Sequence, residues 1–336
     1  IKVGGCLLML FGVHPLGAYA LVGLGAAAYS PAKYGILTEL LPPEKLVVAN
    51  GWIEGLTVGS IILGFVVGGV LVAPLVSSAL LSFDFPAVDT HVDRAGEAAV
   101  AVIAFVYVAA ALVNLRIPDT GARYPRQHLH PLRLVASFSR CVTTLWRDKL
   151  GQISLAVTTL FWGAGATLQF IILKWSETVL GMTLSQGAIM QAVVAIGIAI
   201  GAVTAAARVS LKRSLSVLPV GVAMGLLVCA MAMIDFARLP AGGVVVGATT
   251  ITWAMWLAAA LMVLVGALAG YFVVPMNALL QHRGHVLLSA GHSIAVQNFN
   301  ENLNILVMLG IYALLIALDL RIETIIILFG LFVAAT

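Results

Sequence analysis

Long, uninterrupted apolar runs are the feature that most limits how this chain can fold. A helix that crosses the hydrocarbon core of a membrane needs about 20 mainly apolar residues, and the sequence supplies such runs repeatedly. The ten apolar segments lie roughly at 1–13, 16–38, 46–73, 96–115, 150–174, 186–207, 215–236, 250–280, 288–317 and 320–336. A transmembrane β-barrel would show segments of roughly ten residues that alternate apolar and polar. The pattern therefore predicts an all-α membrane protein.

Composition supports the same fold class. Hydrophobic residues make up 61% of the 336 residues and charged residues only 10%, whereas soluble domains carry about 25% charged residues. The net charge is +4, but the basic residues lie in loops between apolar runs, which indicates membrane topology rather than a nucleic-acid-binding surface. The three cysteines form no CxxC pair, so neither a zinc site nor a redox site is predicted.

The distribution of charge predicts the orientation of the helices. If Lys2 lies on the cytoplasmic side and the segments alternate, all but four of the 18 Lys and Arg residues fall on that side, as the positive-inside rule requires. The four exceptions are Arg94, Lys174, Arg238 and Arg321. The acidic residues on the opposite side are Asp84, Asp89, Asp93, Glu97, Glu177, Asp235, Asp319 and Glu323. The charge pattern thus predicts a multi-pass protein with a defined cytoplasmic face.

A long hydrophilic interruption at 116–149 separates four apolar segments from six. Many transporters consist of two repeated helical halves. We therefore expect an N-terminal half at 1–115, a cytoplasmic central loop at 116–149 and a C-terminal half at 150–336, with two helices missing before the first segment. Within the loop, apolar and basic residues at 129–146 have partly helical spacing. An amphipathic helix on the inner leaflet and a plain basic linker both fit this stretch.

Polar side chains inside apolar helices are the candidate functional residues, because lipid cannot satisfy them. Asn50 and Glu54 are four residues apart and share one face of the third segment. Asn277 and Gln281 have the same spacing in the eighth segment. Lys33 lies near the inner end of the second segment, where it either contacts substrate or extends to lipid headgroups. The alternative role for the amides and carboxylates is hydrogen bonding between helices.

The most polar stretch of any predicted span lies in the ninth segment. Gln297 and Glu301 share one face there, and Asn298 and Asn302 share an adjacent one. These side chains must face the interior of the bundle or a wet cavity. Gln169, in an apolar part of the fifth segment, is a further candidate. We predict that these residues, together with those above, bind a polar substrate.

Motifs of enzymes are missing from the sequence. It contains no P-loop, no HExxH zinc helix and no GxSxG nucleophile elbow. The chain is therefore predicted to be a transporter rather than an enzyme, with no cofactor and no metal.

Four blocks of sequence, in the same order along the chain, resemble bacterial lysophospholipid transporters of the major facilitator superfamily. They are GLGAAAYSPAKYGILTELLPPEKLVVANGWIE at 23–54, FWGAGATLQF at 161–170, FVVPMNALLQHRG at 272–284 and AVQNFNEN at 295–302. The resemblance implies a twelve-helix fold, of which helices three to twelve are present here. In one departure, Gln169 stands where the family often has Arg in its seventh helix, which argues against a contact between this position and a headgroup phosphate.

The resemblance also implies a function. The family moves lysophospholipids, chiefly lysophosphatidylethanolamine, from the outer to the inner leaflet of the bacterial inner membrane, and needs neither ATP nor an ion gradient. A cytoplasmic acyltransferase/acyl-carrier-protein synthetase then re-acylates the lipid. The residues leave two alternatives open. One is a proton-coupled exporter of amphipathic small molecules with Glu54 or Glu301 as the proton carrier, and the other is a membrane scaffold that recruits a cytoplasmic enzyme through 116–149.

Overall fold

The computed structural model describes residues 1–82, 94–121, 123, 130–240, 242–246 and 249–335. Within these ranges the chain forms twelve α-helices and one antiparallel pair of strands. The helices are α1 (Lys2–Leu10), α2 (Pro15–Leu40), α3 (Leu46–Val72), α4 (Pro74–Leu81), α5 (Ala95–Asn114), α6 (Pro131–Arg147), α7 (Lys149–Leu180), α8 (Leu184–Arg208), α9 (Leu218–Met233), α10 (Trp253–Leu287), α11 (Ala290–Ala317) and α12 (Ile322–Ala335). The strands are β1 (Gly243–Val246) and β2 (Thr249–Thr252).

Each of the ten predicted apolar segments corresponds to a helix in this structure. Six described segments have both the length and the hydropathy of a membrane span. They are Ala95–Asn114, Lys149–Leu180, Ile189–Arg208, Leu211–Met233, Trp253–Leu287 and Gly291–Ala317. Helices α2 and α3, with 26 and 27 residues, are also long enough to cross a membrane. The prediction of an all-α, multi-pass membrane protein is confirmed.

The structure differs from the sequence prediction at the end of α10. The apolar run ends near residue 280, which suggested that Arg283 and its neighbours lie in a loop, but the helix continues to Leu287. Backbone hydrogen bonding does not stop where the apolar face stops, so a helix can extend beyond the hydrocarbon with polar side chains. As a result, Arg283 is held on a helix and is half-buried.

Other differences lie outside the apolar segments. The stretch Pro131–Arg147 is a helix, α6, which favours the amphipathic-helix interpretation over a plain linker. Helix α4 and the β1–β2 hairpin were not predicted, because both are too short to give a periodic signal. Residues 83–93 and 124–129 are not described, so the predicted positions of Asp84, Asp89 and Asp93 lie outside the described residues.

Small residues determine how closely the helices pack. Helix α8 presents Gly197 and Gly201 to Gly266 and Gly270 of α10, and a β-carbon at any of these positions would overlap backbone of the facing helix. Close approach of this kind is the usual basis of helix packing in membranes, where dispersion contacts and hydrogen bonds replace the hydrophobic effect. On α3, a β-carbon at Gly51 would lie 2.6 Å from the Ala206 side chain of α8. Helix α2 packs against α11, and α3 packs against α8 and α10. These contacts bring the polar faces of α3, α10 and α11 together.

Candidate functional site

Polar side chains from three helices converge in one layer of the bundle. Each of α3, α10 and α11 contributes two buried residues that are four positions apart and therefore share one face. The six residues, here called the polar layer, are Asn50 and Glu54, Asn277 and Gln281, and Gln297 and Glu301. All six are at most 9% exposed. Burying such groups costs free energy unless they find partners, so their mutual contacts identify this layer as the candidate site.

Asn50 and Gln281 form a reciprocal amide pair between α3 and α10. The Asn50 Nδ2 donates to Gln281 Oε1 at 2.9 Å, and the Gln281 Nε2 donates to Asn50 Oδ1 at 2.9 Å. Asn50 Nδ2 also donates to the Leu46 carbonyl at 2.8 Å. Asn50 is 1% exposed and Gln281 is 2% exposed. The pair therefore closes the space between α3 and α10 with two hydrogen bonds that water does not reach.

Gln297 links α11 to α10 inside the same layer. Its Nε2 donates to Glu301 Oε1 at 2.7 Å and to Asn277 Oδ1 at 3.2 Å. Its Oε1 is buried and has no hydrogen-bond partner within the part of the chain that the structure describes. An unsatisfied buried acceptor is costly, so this oxygen is a ready acceptor for a donor supplied by water or by a ligand.

Glu54 has charged and aromatic neighbours on α2 and α11. It is 5% exposed and lies close enough to Lys33 and Glu301 to interact electrostatically with both. Tyr34 interacts with both carboxylates, and the Lys33 ammonium lies 4.9 Å from the centroid of the Tyr34 ring. The site thus combines one cation, two carboxylates and a phenol. Sequence reasoning missed Tyr34, because a single aromatic residue in an apolar helix resembles core packing.

The remaining candidates lie at or beyond the edge of the polar layer. Asn298 is half-buried and accepts a hydrogen bond from the Ser30 hydroxyl of α2 at 3.4 Å. Asn302 is exposed and donates to the Asn298 carbonyl of its own helix at 2.7 Å. Gln169 is exposed on α7, and its backbone carbonyl accepts from Gln191 at 3.1 Å. The structure therefore brings Asn298 to the α2–α11 contact and leaves the Gln169 side chain outside the cluster.

The polar layer lies in the half of the bundle that the charge pattern assigns to the cytoplasm. Asn50 follows the first residue of α3 by four positions, which is about 6 Å along the axis, and Glu54 lies about 12 Å along it. Glu301 lies roughly 17 Å from the start of α11. The amide pair is therefore nearest the cytoplasmic end, and the two carboxylates lie deeper, toward the middle of the membrane.

An ion pair braces the C-terminal end of α10. Arg283 Nε donates to Asp148 Oδ1 at 3.0 Å, and Arg283 Nη2 contacts the other carboxylate oxygen. Asp148 also caps α7 by accepting from the Gly151 backbone at 2.8 Å. The hydrogen bond from Arg283 is the main reason that the pKa of Asp148 is lowered. This pair ties the start of α7 to the last turns of α10.

Metal-binding geometry is not seen in the described ranges. No three or more His, Cys, Asp and Glu side chains are grouped there in a way that could hold a metal ion. The two carboxylates of the polar layer are accompanied by amides, a lysine and a tyrosine, a mixture that suits a ligand with both a positive and a negative group.

Comparison with known proteins gives the family. The sequence model described as Major Facilitator Superfamily matches residues 3–307. The lysophospholipid transporter LplT of Serratia proteamaculans (strain 568) is 41% identical over 315 residues, which are 94% of this chain and 70% of that protein. The protein of the same name from Citrobacter koseri is 41% identical over 331 residues, covering 98% of this chain and 74% of the relative. That from Yersinia pestis (strain Pestoides F) is 40% identical over 319 residues, covering 95% and 69%. The chain belongs to the major facilitator superfamily and, within it, to the family of the proteins named lysophospholipid transporter LplT.

Proposed function

We propose that this chain is a lysophospholipid transporter of the bacterial inner membrane and has no enzymatic activity of its own. It moves lysophosphatidylethanolamine-like lipids from the outer to the inner leaflet. The names of relatives about 40% identical over most of the chain support this function. The lipid is then re-acylated by a cytoplasmic acyltransferase/acyl-carrier-protein synthetase, the partner that the sequence resemblance implies.

The single observation that carries the proposal is the mixed charge of the buried site. A lysophosphatidylethanolamine headgroup has an ammonium group and a phosphate. The Glu54 and Glu301 carboxylates and the buried Gln297 Oε1, which has no partner among the described residues, supply acceptors for the ammonium. Lys33, half-buried beside Tyr34, supplies a cation for the phosphate. Charge-assisted hydrogen bonds of this kind are the strong ones in a site with little water.

The acyl tail has different requirements from the headgroup. A single hydrocarbon chain gains nothing by leaving lipid, since lipid tails are as apolar as the side chains that face them. We propose that the headgroup crosses between an N-terminal half at 1–115 and a C-terminal half at 150–336, while the tail slides along the lipid-facing seam. The protein then has to shield only the polar group, which is the part of the lipid that the membrane core rejects.

The contacts near the cytoplasmic end support an outward-facing arrangement. The Asn50–Gln281 pair and the hydrogen bond from Ser30 to Asn298 join α3 to α10 and α2 to α11. Release of the headgroup to the cytoplasm requires these contacts to break. Amides released in this way bond to water instead, so opening costs only the modest net value of each hydrogen bond. An amide contact is therefore suited to a surface that opens and closes repeatedly.

The test is uptake of labelled lysophosphatidylethanolamine by spheroplasts that express the full-length protein, with and without an uncoupler. We expect uptake that exceeds that of spheroplasts without the protein and that persists when the uncoupler is present. Equal uptake with and without the protein would contradict the proposed function.

A proton-coupled exporter of amphipathic small molecules is the second candidate. The observation that favours it is the presence of two mutually interacting buried carboxylates, Glu54 and Glu301, since carboxylates inside membranes often carry protons in transporters. The same experiment separates the candidates. Transport that collapses with the uncoupler supports proton coupling, whereas transport that survives it supports a lipid moving down its concentration gradient.

A further inference from the structure

Helix α6 is docked on the cytoplasmic ends of three other helices. Leu145 of α6 is fully buried in a cluster with Leu155 of α7, Leu280 of α10 and Val296 of α11. Phe138 meets Phe299 of α11 edge to face, with ring centroids 5.3 Å apart. One face of α6 is therefore held by apolar packing against α7, α10 and α11.

The opposite face of α6 carries positive charge. Arg133, Arg140 and Arg147 are all exposed. They recur every seven residues, which places them within about 40° of one another around the helix axis. The helix contains no Asp or Glu, so nothing on α6 itself neutralises this line. Asp148, the next residue, is already paired with Arg283.

Exposed apolar side chains extend this surface around the first turns of α6, with Leu132 about 60–100° and Val135 about 120–160° from the line of arginines. Leu132 is 75% exposed and Val135 is 67% exposed. Exposed to water, these apolar side chains contribute no free energy of burial. At a membrane surface they would be buried at the boundary between headgroups and acyl chains. A helix with basic residues on one flank and apolar residues on the other has the composition of a helix that lies in the membrane interface.

We propose that the exposed surface of α6, formed by Leu132, Arg133, Val135, Arg140 and Arg147, is a binding site for anionic phospholipid headgroups of the inner leaflet. The three guanidinium groups bind lipid phosphates, and the two apolar side chains rest among the upper acyl chains. Charge complementarity selects this occupant, because the cytoplasmic leaflet is negatively charged and guanidinium groups bind phosphate in a bidentate manner. The site is separate from the transport site and does not depend on which lipid is carried.

Binding at this face bears on transport through α11. Phe299, which Phe138 contacts, is adjacent in sequence to Asn298, whose side chain meets Ser30 of α2. An anionic leaflet that holds α6 in place therefore also steadies the segment of α11 that contributes Gln297 and Glu301 to the polar layer.

The test uses the full-length protein with its native cysteines Cys6, Cys141 and Cys229 replaced by serine and a fluorophore attached at Val135→Cys. The protein is reconstituted in phosphatidylcholine vesicles that contain a trace of nitroxide-labelled phosphatidylglycerol or nitroxide-labelled phosphatidylcholine. The ratio of quenching by the two lipids measures how strongly anionic lipid collects near α6. One arginine near an anionic lipid strengthens binding roughly fivefold, so we expect phosphatidylglycerol to quench at least about fivefold more strongly.

Replacing the three arginines separates this site from general attraction to a cationic protein. We expect the quenching ratio to fall to near one in R133Q/R140Q/R147Q. The matched control removes three exposed cations at the end of α8 and in its connection to α9, namely Arg208, Lys212 and Arg213. We expect R208Q/K212Q/R213Q to keep the ratio of the parent protein.

Two outcomes would overturn the proposal. One is a ratio near one in the parent protein, and the other is a ratio that the α6 variant does not change. A ratio near one together with shielding of the label when a cytoplasmic extract is added would make α6 a protein-docking surface instead. Elution of each variant as a single species of unchanged size excludes misfolding as the cause of a lost ratio.

Discussion

The reciprocal amide pair should control how tightly the cytoplasmic ends of α3 and α10 are held together. Asn50→Ala removes both 2.9 Å hydrogen bonds and leaves the Gln281 amide, 2% exposed, without those partners. Orphaned buried groups cost about 1–3 kcal/mol, while polar contacts between membrane helices average about 0.6 kcal/mol each. We therefore expect each single substitution to weaken the closed arrangement by about 1–2 kcal/mol, which is roughly a 5- to 30-fold shift toward separated ends.

The double variant N50A/Q281A tests whether the two side chains stabilise the closed arrangement through their contact with each other. Gln281→Ala should cost about as much as Asn50→Ala, because the two side chains satisfy each other. The combined variant N50A/Q281A should cost less than the sum of the two singles, because once one partner is gone the other no longer has this contact to lose. A coupling energy of about 1 kcal/mol or more is expected for a contact of this kind.

The assay is a distance measurement between spin labels at the cytoplasmic ends of the two helices. Lys45, at the start of α3, and His285, in the last turn of α10, are both exposed, so K45C/H285C in a cysteine-depleted background should accept labels without disturbing the packing. We expect one dominant short distance in the parent protein. We expect a longer second population to grow in N50A and in Q281A, and the fractions give the free-energy difference.

The control is a half-buried interhelical amide that does not join α3 to α10. Asn304 of α11 donates to the Thr159 carbonyl of α7 at 2.8 Å, so Asn304→Ala removes one interhelical hydrogen bond elsewhere. We expect it to lower thermal stability while leaving the α3–α10 distance unchanged. Distance distributions that N50A and Q281A leave unaltered, or strictly additive effects of the two substitutions, would show that the amide pair does not hold these helix ends together.

Two further predictions concern stability. Gly201→Ala would place a methyl group against the Ala267 carbonyl, which should destabilise the fold by about 1–3 kcal/mol and lower its thermal midpoint. Gly59→Ala, whose added methyl meets no atom within 4 Å in the part of the chain that the structure describes, should leave the midpoint unchanged. Equal midpoints for the two variants would contradict the close α8–α10 packing. Arg283 lowers the pKa of Asp148 in the folded state. The pair therefore stabilises the fold fully at pH values above the unfolded carboxyl pKa of about 4, and this stabilisation is lost as the pH falls through the lower pKa of the folded state. The midpoint of Asp148→Asn should accordingly lie below that of the parent at pH 7, with the difference shrinking below about pH 4; a pH-independent difference would refute it.

The helices were predictable because lipid imposes one rule on all of them. Every backbone group must be satisfied within the segment that crosses the membrane, so a long apolar run can only be a helix. The same rule made Asn50, Glu54, Gln297 and Glu301 conspicuous, since each is a polar group in a solvent that cannot bind it. Their spacing of four residues was enough to show which pairs share a face.

The pairing between helices could not be read from the sequence. Asn50 and Gln281 are 231 positions apart, and their contact depends on the rotation and axial register of α3 against α10. Those quantities are set by packing at positions such as Gly51, whose role only the assembled bundle reveals. Tyr34 was missed because a single aromatic residue in an apolar helix resembles core packing. Gln169, which looked equivalent to the other amides, turns out to be exposed.

The most direct test is uptake of labelled lysophosphatidylethanolamine by spheroplasts that express the parent protein, E54Q/E301Q or the control E177Q. Glu177 is exposed and paired with Lys174, so E177Q makes the same Glu-to-Gln change at a position outside the polar layer. Charge-assisted hydrogen bonds are typically worth about 1.5–3 kcal/mol, so we expect uptake by E54Q/E301Q to fall at least roughly tenfold while E177Q remains at the parental rate. Parental uptake by E54Q/E301Q, at equal amounts of protein in the membrane, would show that the headgroup does not pass through this site.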